Sequence, residues 1–503
     1  MNSGFLILDF GSQYTWLIAR AFRELSYYSE VLYYNESLDV IKKKKPLGIV
    51  LSGGPSSVLT NSSPRRSVNE LLEIAPVLGI CYGMQLIAFQ KGGTLSSSSQ
   101  KNYGLNEVYW KKSLIPNLNK QKVWMSHGDS LQALPPKAQL LCRDSNSLIT
   151  AFSMERLLAF QFHPEVSHTE RGKELFEYFA FKLCKAPPKS WTKQSRLDFV
   201  ISQIRKQVPK TKKVFCALSG GVDSTVTATL LSRVLGVPQV LCLFVDTGLL
   251  RKKEYEEVLN NYRSLNLNIK GVKAGDRFFK ALKGVLDPEE KRKIIGKLFI
   301  DIFKEEMEDS KYLAQGTLYP DVIESLSEQG DVIKSHHNVG ALPKDLNLKL
   351  IEPLKQLFKD EVRDIGKSIG LSSNLLDRHP FPGPGLAIRC IGEVTPEKVK
   401  ILQKADFIYI EELKKQDLYD KIWQAFLILL PIKTVGVQGD SRTYKKVISI
   451  RAVTSTDGMT ADWFPFPPSF LQKLSCRIVN EVSEVNRVVY DITSKPPGTI
   501  EWE

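Results

Sequence analysis

At 503 residues the chain is too long for one hydrophobic core, and two to four domains are expected. A composition 43% hydrophobic and 25% charged excludes a disordered chain, while seven cysteines, an odd number without a Cys-x-x-Cys pair, argue against a disulfide framework or a structural zinc site. Lys and Arg outnumber Asp and Glu by 69 to 55, a net +14 that suits nucleic acid or several anionic small ligands equally. The one dense cluster, Lys42 to Lys45, precedes Pro46 and a strand and reads as a solvated helix end, with no nucleic-acid-binding signature beside it. The first strand begins before a signal-peptide core could form, and no apolar run reaches the length of a bilayer span. The expectation is therefore a cytoplasmic protein with no membrane and no nucleic-acid partner.

From residue 5 the pattern is α/β: an apolar strand at 5–10, a helix at 15–25 and a strand at 46–52, which together imply a buried parallel sheet. Gly53, Gly54 and Pro55 break the third element at its carboxyl end, where open α/β sheets place ligands. A strand at 77–80 leads into Cys81, and 83–90 reads as a helix. Cys81 thus occupies a strand-to-helix turn, with a helix N-terminus to favour the thiolate. A strand at 157–162 delivers His163-Pro164-Glu165. Thiol, imidazole and carboxylate are the parts of a nucleophilic acyl-transfer site, and the N–H groups of Gly54 and Tyr82 are candidates for the oxyanion hole. His127 and His168 have no rigidly spaced carboxylate and are given no proton-transfer role; Cys142, Cys184, Cys216, Cys242, Cys390 and Cys476 read as packing residues. Gly79-Ile80-Cys81-Tyr82-Gly83-Met84-Gln85, with His163-Pro164-Glu165, resembles the class I glutamine amidotransferases. That resemblance implies hydrolysis of glutamine to glutamate and ammonia, with Gln85 and a loop carrying Ser126, His127, Gly128 and Asp129 holding the substrate.

Lys185 to Lys189, with Pro187-Pro188, reads as a linker, which gives domains at 1–187, 188–378 and 379–503. In the second, Ser219-Gly220-Gly221-Val222-Asp223-Ser224-Thr225 lies between an apolar strand, 214–218, and a helical run from Val226. Two glycines, hydroxyl and carboxylate caps and a helix N-terminus make a phosphate seat, yet the Lys of a Walker loop is missing. The motif resembles the pyrophosphate loop of the ATP pyrophosphatases. A strand at 240–245 ends in Asp246-Thr247-Gly248-Leu249-Leu250-Arg251, facing the same crevice. A strand at 312–316 leads to Asp321 and Glu324, and 329–347 reads as a surface lid carrying Lys334. The adjacent His336 and His337 point apart, which disfavours a metal site. Arg378 to Gly385 is a rigid turn; beyond it the pattern becomes a small α+β domain whose tail, Ser494 to Glu503, is expected to dock.

The whole pattern, two doubly wound α/β domains followed by a small α+β domain, resembles the glutamine-hydrolysing GMP synthetases, which implies that the last domain serves dimerisation. The segments that carry it are 244–251, 378–389, Val437 to Asp440 and the terminal Ser-Lys-Pro-Pro-Gly-Thr-Ile-Glu-Trp-Glu. The resemblance implies ATP on residues 219–225 with Val245 along the adenine. It implies Mg²⁺ near Asp223, Asp321 and Glu324, catalysis by Lys334, and xanthosine monophosphate (XMP) held by Arg251, Asp440, Lys495 and Glu501. It also implies a homodimer in which each tail completes a site. Other readings are a different glutamine-fed adenylating ligase, which the C-terminal segments disfavour, and a nucleic-acid-binding regulator, which Cys81, His163, Glu165 and Asp223 disfavour.

Overall fold

The computed structural model describes residues 4–188, 190–209, 211–307, 312–319, 349–455 and 460–503, with only the backbone for 98–101. Asp321, Glu324, Lys334 and the expected lid lie outside these residues. The chain forms two compact units, one reaching from its start to Asp198 and the other beginning at Phe199.

The first unit is built on a nine-stranded sheet: β1 (Phe5–Asp9), β2 (Ser29–Tyr33), β3 (Gly48–Leu51), β4 (Val77–Ile80), β5 (Thr94–Trp110), β6 (Lys120–Ala133), β7 (Gln139–Asp144), β8 (Ile149–Met154) and β9 (Leu157–Phe160). Its order is β2-β1-β3-β4-β9-β8-β6-β5-β7. The runs Gly-Ile-Val-Leu, Val-Leu-Gly-Ile and Leu-Leu-Ala-Phe are buried at every position, as strands covered on both faces must be, and the five neighbours β2, β1, β3, β4 and β9 pair in parallel. β1 leaves to β2 on one side and has β3 on the other. This reversal opens a crevice at the carboxyl ends of the strands. The remaining strands pair antiparallel, so the expected parallel sheet is only half of this one. The stretch from Met125 to Asp129, expected as a loop, is the middle of β6, paired with β5.

In the second unit β10 (Val214–Leu218), β11 (Val240–Asp246), β12 (Ile269–Lys273), β13 (Tyr312–Ala314) and β14 (Lys349–Ile351) form a parallel sheet of order β12-β11-β10-β13-β14. The order reverses at β10, and a Cβ added to Gly316, just past β13, would lie 2.8 Å from the carbonyl carbon of Asp223. Glycine is what lets these two chain ends meet. A third sheet holds the long hairpin β15 (Gln424–Gln438) and β16 (Ser441–Thr454), with β17 (Asp462–Trp463) and β18 (Val485–Tyr490). One apolar cluster includes Leu243, Val245 and Leu249 of the β11 region, Leu386, Ile408 and Tyr409, and Leu427, Ile450 and Phe470 around the third sheet. Cys476, read as a packing residue, is exposed on the helix Pro468–Glu481.

The C-terminal tail docks. Fully buried Arg451 donates to the carbonyls of Thr493, Thr499 and Ile500 at 2.6, 3.0 and 3.4 Å. Arg389, also fully buried, holds Glu501 through Nε and Nη2 at 3.2 and 2.8 Å. Lys291 pairs with Glu503, whose other oxygen accepts from the Gly392 N–H at 3.1 Å.

Candidate active sites

The first site forms at the carboxyl ends of β1, β3, β4 and β9. Cys81 follows β4 and precedes the helix Tyr82–Gln90, with φ +51° and ψ −108°, a region that side-chain-bearing residues rarely occupy. Small neighbours make the turn possible. A Cβ on Gly79 would sit 2.4 Å from Cδ1 of Ile87, and one on Gly83 would sit 2.3 Å from the carbonyl oxygen of Leu51. The turn is fastened on both sides: Cys81 N–H donates to Phe160 O at 2.8 Å, and Gly83 N–H to Ser52 O at 3.0 Å. Sγ of Cys81 donates to the carbonyl of Ser126, 3.3 Å away on β6.

His163 arrives from β9, and its Nδ1–H donates to Oε1 of Glu165 at 2.7 Å, with both side chains buried. Burial pushes the imidazole toward its neutral form. The charges and hydrogen bonds of Glu165 and Cys81 together outweigh that and hold it well above the ordinary histidine range. The ring stands edge-on to Tyr14, centroids 5.0 Å apart, and the carbonyl of His163 accepts from Thr169 Oγ1 at 2.6 Å. A thiol, an imidazole bonded to a carboxylate, and the N–H of the first helical residue, Tyr82, are the means to attack and stabilise an acyl centre. Gly54 lies against Phe10, where a Cβ would be 2.6 Å from the Phe10 carbonyl oxygen, so that backbone approach requires glycine.

Around this centre Gln85 Nε2 donates to Asp129 O at 3.1 Å and to Gln161 Oε1 at 3.3 Å. His127 Nδ1–H donates to the same Asp129 carbonyl at 2.9 Å, and burial lowers the ring's basicity. Ser57 Oγ donates to Asp129 Oδ2. Gly128 has open space where a Cβ would stand. The fold therefore gathers Cys81, His163, Glu165, Gln85, Ser126, His127 and Asp129. Gln161 and Ser57 were not singled out from the sequence. Gln161 carried a signal: it is a lone polar residue between Phe160 and Phe162, two residues before His163.

In the second unit the helix after β10 begins at Val222, so Val222 to Thr225 form its first turn. Its N-cap is Gly221, which has no capping side chain. Ser224 and Thr225 hydroxyls instead donate back to Gly221 O at 3.1 and 2.7 Å, Ser219 N–H donates to Ser224 Oγ at 3.2 Å, and Gly220 turns at φ +76°. The hydroxyls brace the turn, leaving the N–H groups of the helix end for an anion. Asp223 stands in this first turn, a hard oxygen donor beside the phosphate seat, which fits Mg²⁺ shared with substrate phosphates. Val245 is buried in the apolar cluster.

Arg251 Nε lies 3.5 Å from Asp406 Oδ2 and its guanidinium sits over the Phe381 ring at 5.2 Å. Burial acts against its charge, and Asp406, Glu254 and the more distant Glu501 keep it charged. Arg389 covers the same ring at 5.1 Å and binds Glu501, which also accepts from Gln424 Nε2 at 2.8 Å. Arg251 and Glu501 are thus brought together. Asp406, Arg389 and Gln424 join them unforeseen, because strands and helix far apart in sequence supply them. Lys495 pairs through its backbone with Ala461. Asp440 is elsewhere: it sits at the β15–β16 tip at φ +58°, roughly 50 Å along the strand and turn beyond Gln424 at about 3.3 Å per residue.

Three family models match in succession: glutamine amidotransferase class-I at residues 6–183, NAD synthase at 193–295 and GMP synthase C terminal domain at 411–502. A glutamine-hydrolysing GMP synthase from Bdellovibrio bacteriovorus is 54% identical over 505 residues, covering 99% of this chain and all of the relative. The chain belongs to the glutamine-hydrolysing GMP synthase family. Family members from Aquifex aeolicus, 51% identical over 508 residues, and Chlorobium chlorochromatii, 50% over 512 residues, each cover 99% of both chains. The glutamine amidotransferase match spans the crevice around Cys81, and the NAD synthase match spans the turn at 219–225. Among the described residues no helix is long and apolar enough to cross a membrane.

Proposed function

We propose that this chain converts XMP to GMP, hydrolysing glutamine for the nitrogen and ATP to AMP and pyrophosphate for the energy. The functional division is 1–187, 188–378 and 379–503, and the site of action is the cytoplasm. The observation that carries the reading is the Cys81 turn with the 2.7 Å His163–Glu165 pair, in one chain with the phosphate turn and a docked Glu501.

In the glutaminase site Gln85, Ser126, His127, Gly128 and Asp129 hold glutamine with its amide carbon over Sγ of Cys81. The thiolate attacks while the N–H groups of Gly54 and Tyr82 receive the carbonyl oxygen. His163, oriented by Glu165, delivers its proton to the departing ammonia and then draws one from water, which releases glutamate. In the synthetase site Ser219 to Thr225 hold the β and γ phosphates, and Val245 borders the adenine. Asp223, with Asp321 and Glu324, would hold Mg²⁺, which would supply charge neutralisation at the pyrophosphate. Arg251, Asp440, Lys495 and Glu501 hold XMP, whose O2 attacks the α phosphorus, with Lys334 assisting. Ammonia then displaces AMP from the adenylated carbon.

Asp440 reaches an XMP only from a second copy, since its own strand carries it away from Arg251. The outer hairpin leaves Val437 74% and Tyr444 65% exposed, a surface on which a homodimer can close. The test is product analysis with ATP, Mg²⁺ and XMP, using glutamine or ammonium. Equal AMP and GMP from both sources is the expected result. AMP without GMP would reject XMP as the acceptor.

A further inference from the structure

Arg378 opens the Arg-His-Pro-Phe-Pro-Gly-Pro-Gly turn and has no part in the reaction described above. Its Nη1 donates to the carbonyl of Gly220 at 3.0 Å, and its Nη2 donates to Oε1 of Glu254 at 2.6 Å. The other oxygen of that carboxylate accepts the backbone N–H of Arg251 at 2.9 Å. Glu254 is 4% exposed, in the first turn of the helix Glu254–Ser264, where the positive helix end favours its charge. One buried carboxylate therefore ties the loop that ends β11 to an arginine gripping the phosphate turn.

The grip has a directional consequence. In a trans peptide the C=O and the following N–H point opposite ways, so fastening Gly220 O to Arg378 aims Gly221 N–H to the other side, toward Ser219 Oγ at 3.3 Å. That is the N–H set expected to read the pyrophosphate. The same helix makes a second contact with this turn: Tyr262 OH and Thr225 Oγ1 are hydrogen-bonded at 2.9 Å. A Cβ added to Gly220 would meet Val258, also on this helix, at 3.4 Å. The helix thus touches the phosphate turn along its length and holds Arg251 at its start.

We infer that Arg378 and Glu254 are positioning residues that couple the two nucleotide seats of the synthetase site, so that filling one sets the geometry of the other. The inference rests on the reading that 219–225 holds ATP and Arg251 holds XMP. Binding of each nucleotide then raises affinity for the other by the same factor, since linkage is reciprocal.

The experiment titrates the full-length protein with an α,β-methylene ATP analogue, with and without XMP, and XMP with and without the analogue. Wild type is expected to show the same enhancement in both directions, about fivefold or more. In Arg378→Met and Glu254→Gln that factor falls to about one and both single affinities weaken. Arg378→Lys, which keeps the charge but not the fork, recovers affinity for the analogue without the coupling. Circular dichroism and thermal melts of the full-length variants that match wild type show that they fold. The double variant is expected to be no worse than either single one, as members of one unit are non-additive. Retention of the full factor in both single variants, or strictly additive losses in the double, overturns the inference. Failure of wild type to make GMP from XMP would instead overturn the reading on which it rests.

Discussion

Replacing Gly83 by Ala tests whether the strained turn is what arms Cys81. The new Cβ would lie 2.3 Å from Leu51 O, 2.7 Å from Leu51 Cβ and 2.8 Å from Leu51 C. A carbon requires roughly 3.3 Å from a carbonyl oxygen, so a gap of about 1 Å must open. The obstacle is mainly the backbone of β3, a fully buried central strand that cannot yield as a side-chain tip would. The helix Tyr82–Gln90 must therefore move, and its first residues carry the Tyr82 N–H and adjoin Sγ. Overpacking of this kind costs about 1–3 kcal/mol in stability, and a 1 Å misplacement of reacting groups costs about 10²-fold in rate. Steady-state glutamate release from Gly83→Ala is thus expected to fall about a hundredfold, while GMP formation from ammonium stays near wild type. Glutaminase activity within about threefold of wild type would refute the reasoning.

Glu165→Gln keeps an acceptor for His163 Nδ1–H but removes the charge, and glutamine hydrolysis is expected to fall about 10²-fold or more in a glutamate-release assay. The same variant alters pH behaviour: the His163 pKa is raised in the fold, so the pair's stabilisation is complete below the unfolded value and lost as pH rises through the folded one. Thermal melts of wild type should show that alkaline decline, and those of Glu165→Gln should not. His379 behaves oppositely: burial lowers it to about 4, against a favourable bond from Nε2 to Tyr419 O at 2.8 Å. An unfolded histidine takes its proton near 6.5, so stability falls as pH drops from about 6.5 to about 4, by up to about 3 kcal/mol. ¹³C-labelled histidine spectra of the six rings should show the His379 resonance staying neutral at pH 5. Arg451→Met removes the donor to three tail carbonyls and leaves Asp491 without its 3.2 Å partner, which should cost about 3–5 kcal/mol. Since the tail carries Lys495 and Glu501, the KM for XMP should rise severalfold while glutaminase activity is unchanged; equal loss of both activities would contradict the placement.

Much of this molecule was legible because its chemistry sits where strands end. The runs before Cys81 and Ser219 are apolar throughout, and Gly79 and Gly83 announce a turn that no larger residue fits. His163 and Glu165 were legible through their two-residue spacing across Pro164. The antiparallel half of the first sheet was not, because β5 runs through Ser96 to Ser99, a polar stretch that resembles a loop until β6 pairs with it. For the same reason Ser126 to Asp129 was expected on a loop. The partners of Arg251 were out of reach: Asp406 comes from the helix Pro396–Lys415 and Arg389 from the turn before it, and nothing local in either segment marks the meeting. Asp440 fits the family pattern by sequence, yet strand length removes it from its own chain's Arg251.

Cys81→Ala tests the central claim most directly, by measuring GMP and glutamate made from XMP and ATP with glutamine or with ammonium. The account predicts that the variant makes neither glutamate nor GMP from glutamine, and makes GMP from ammonium at close to the wild-type rate. Loss of the ammonium-driven reaction would contradict two separate sites, and continued glutamate release would remove Cys81 from the chemistry.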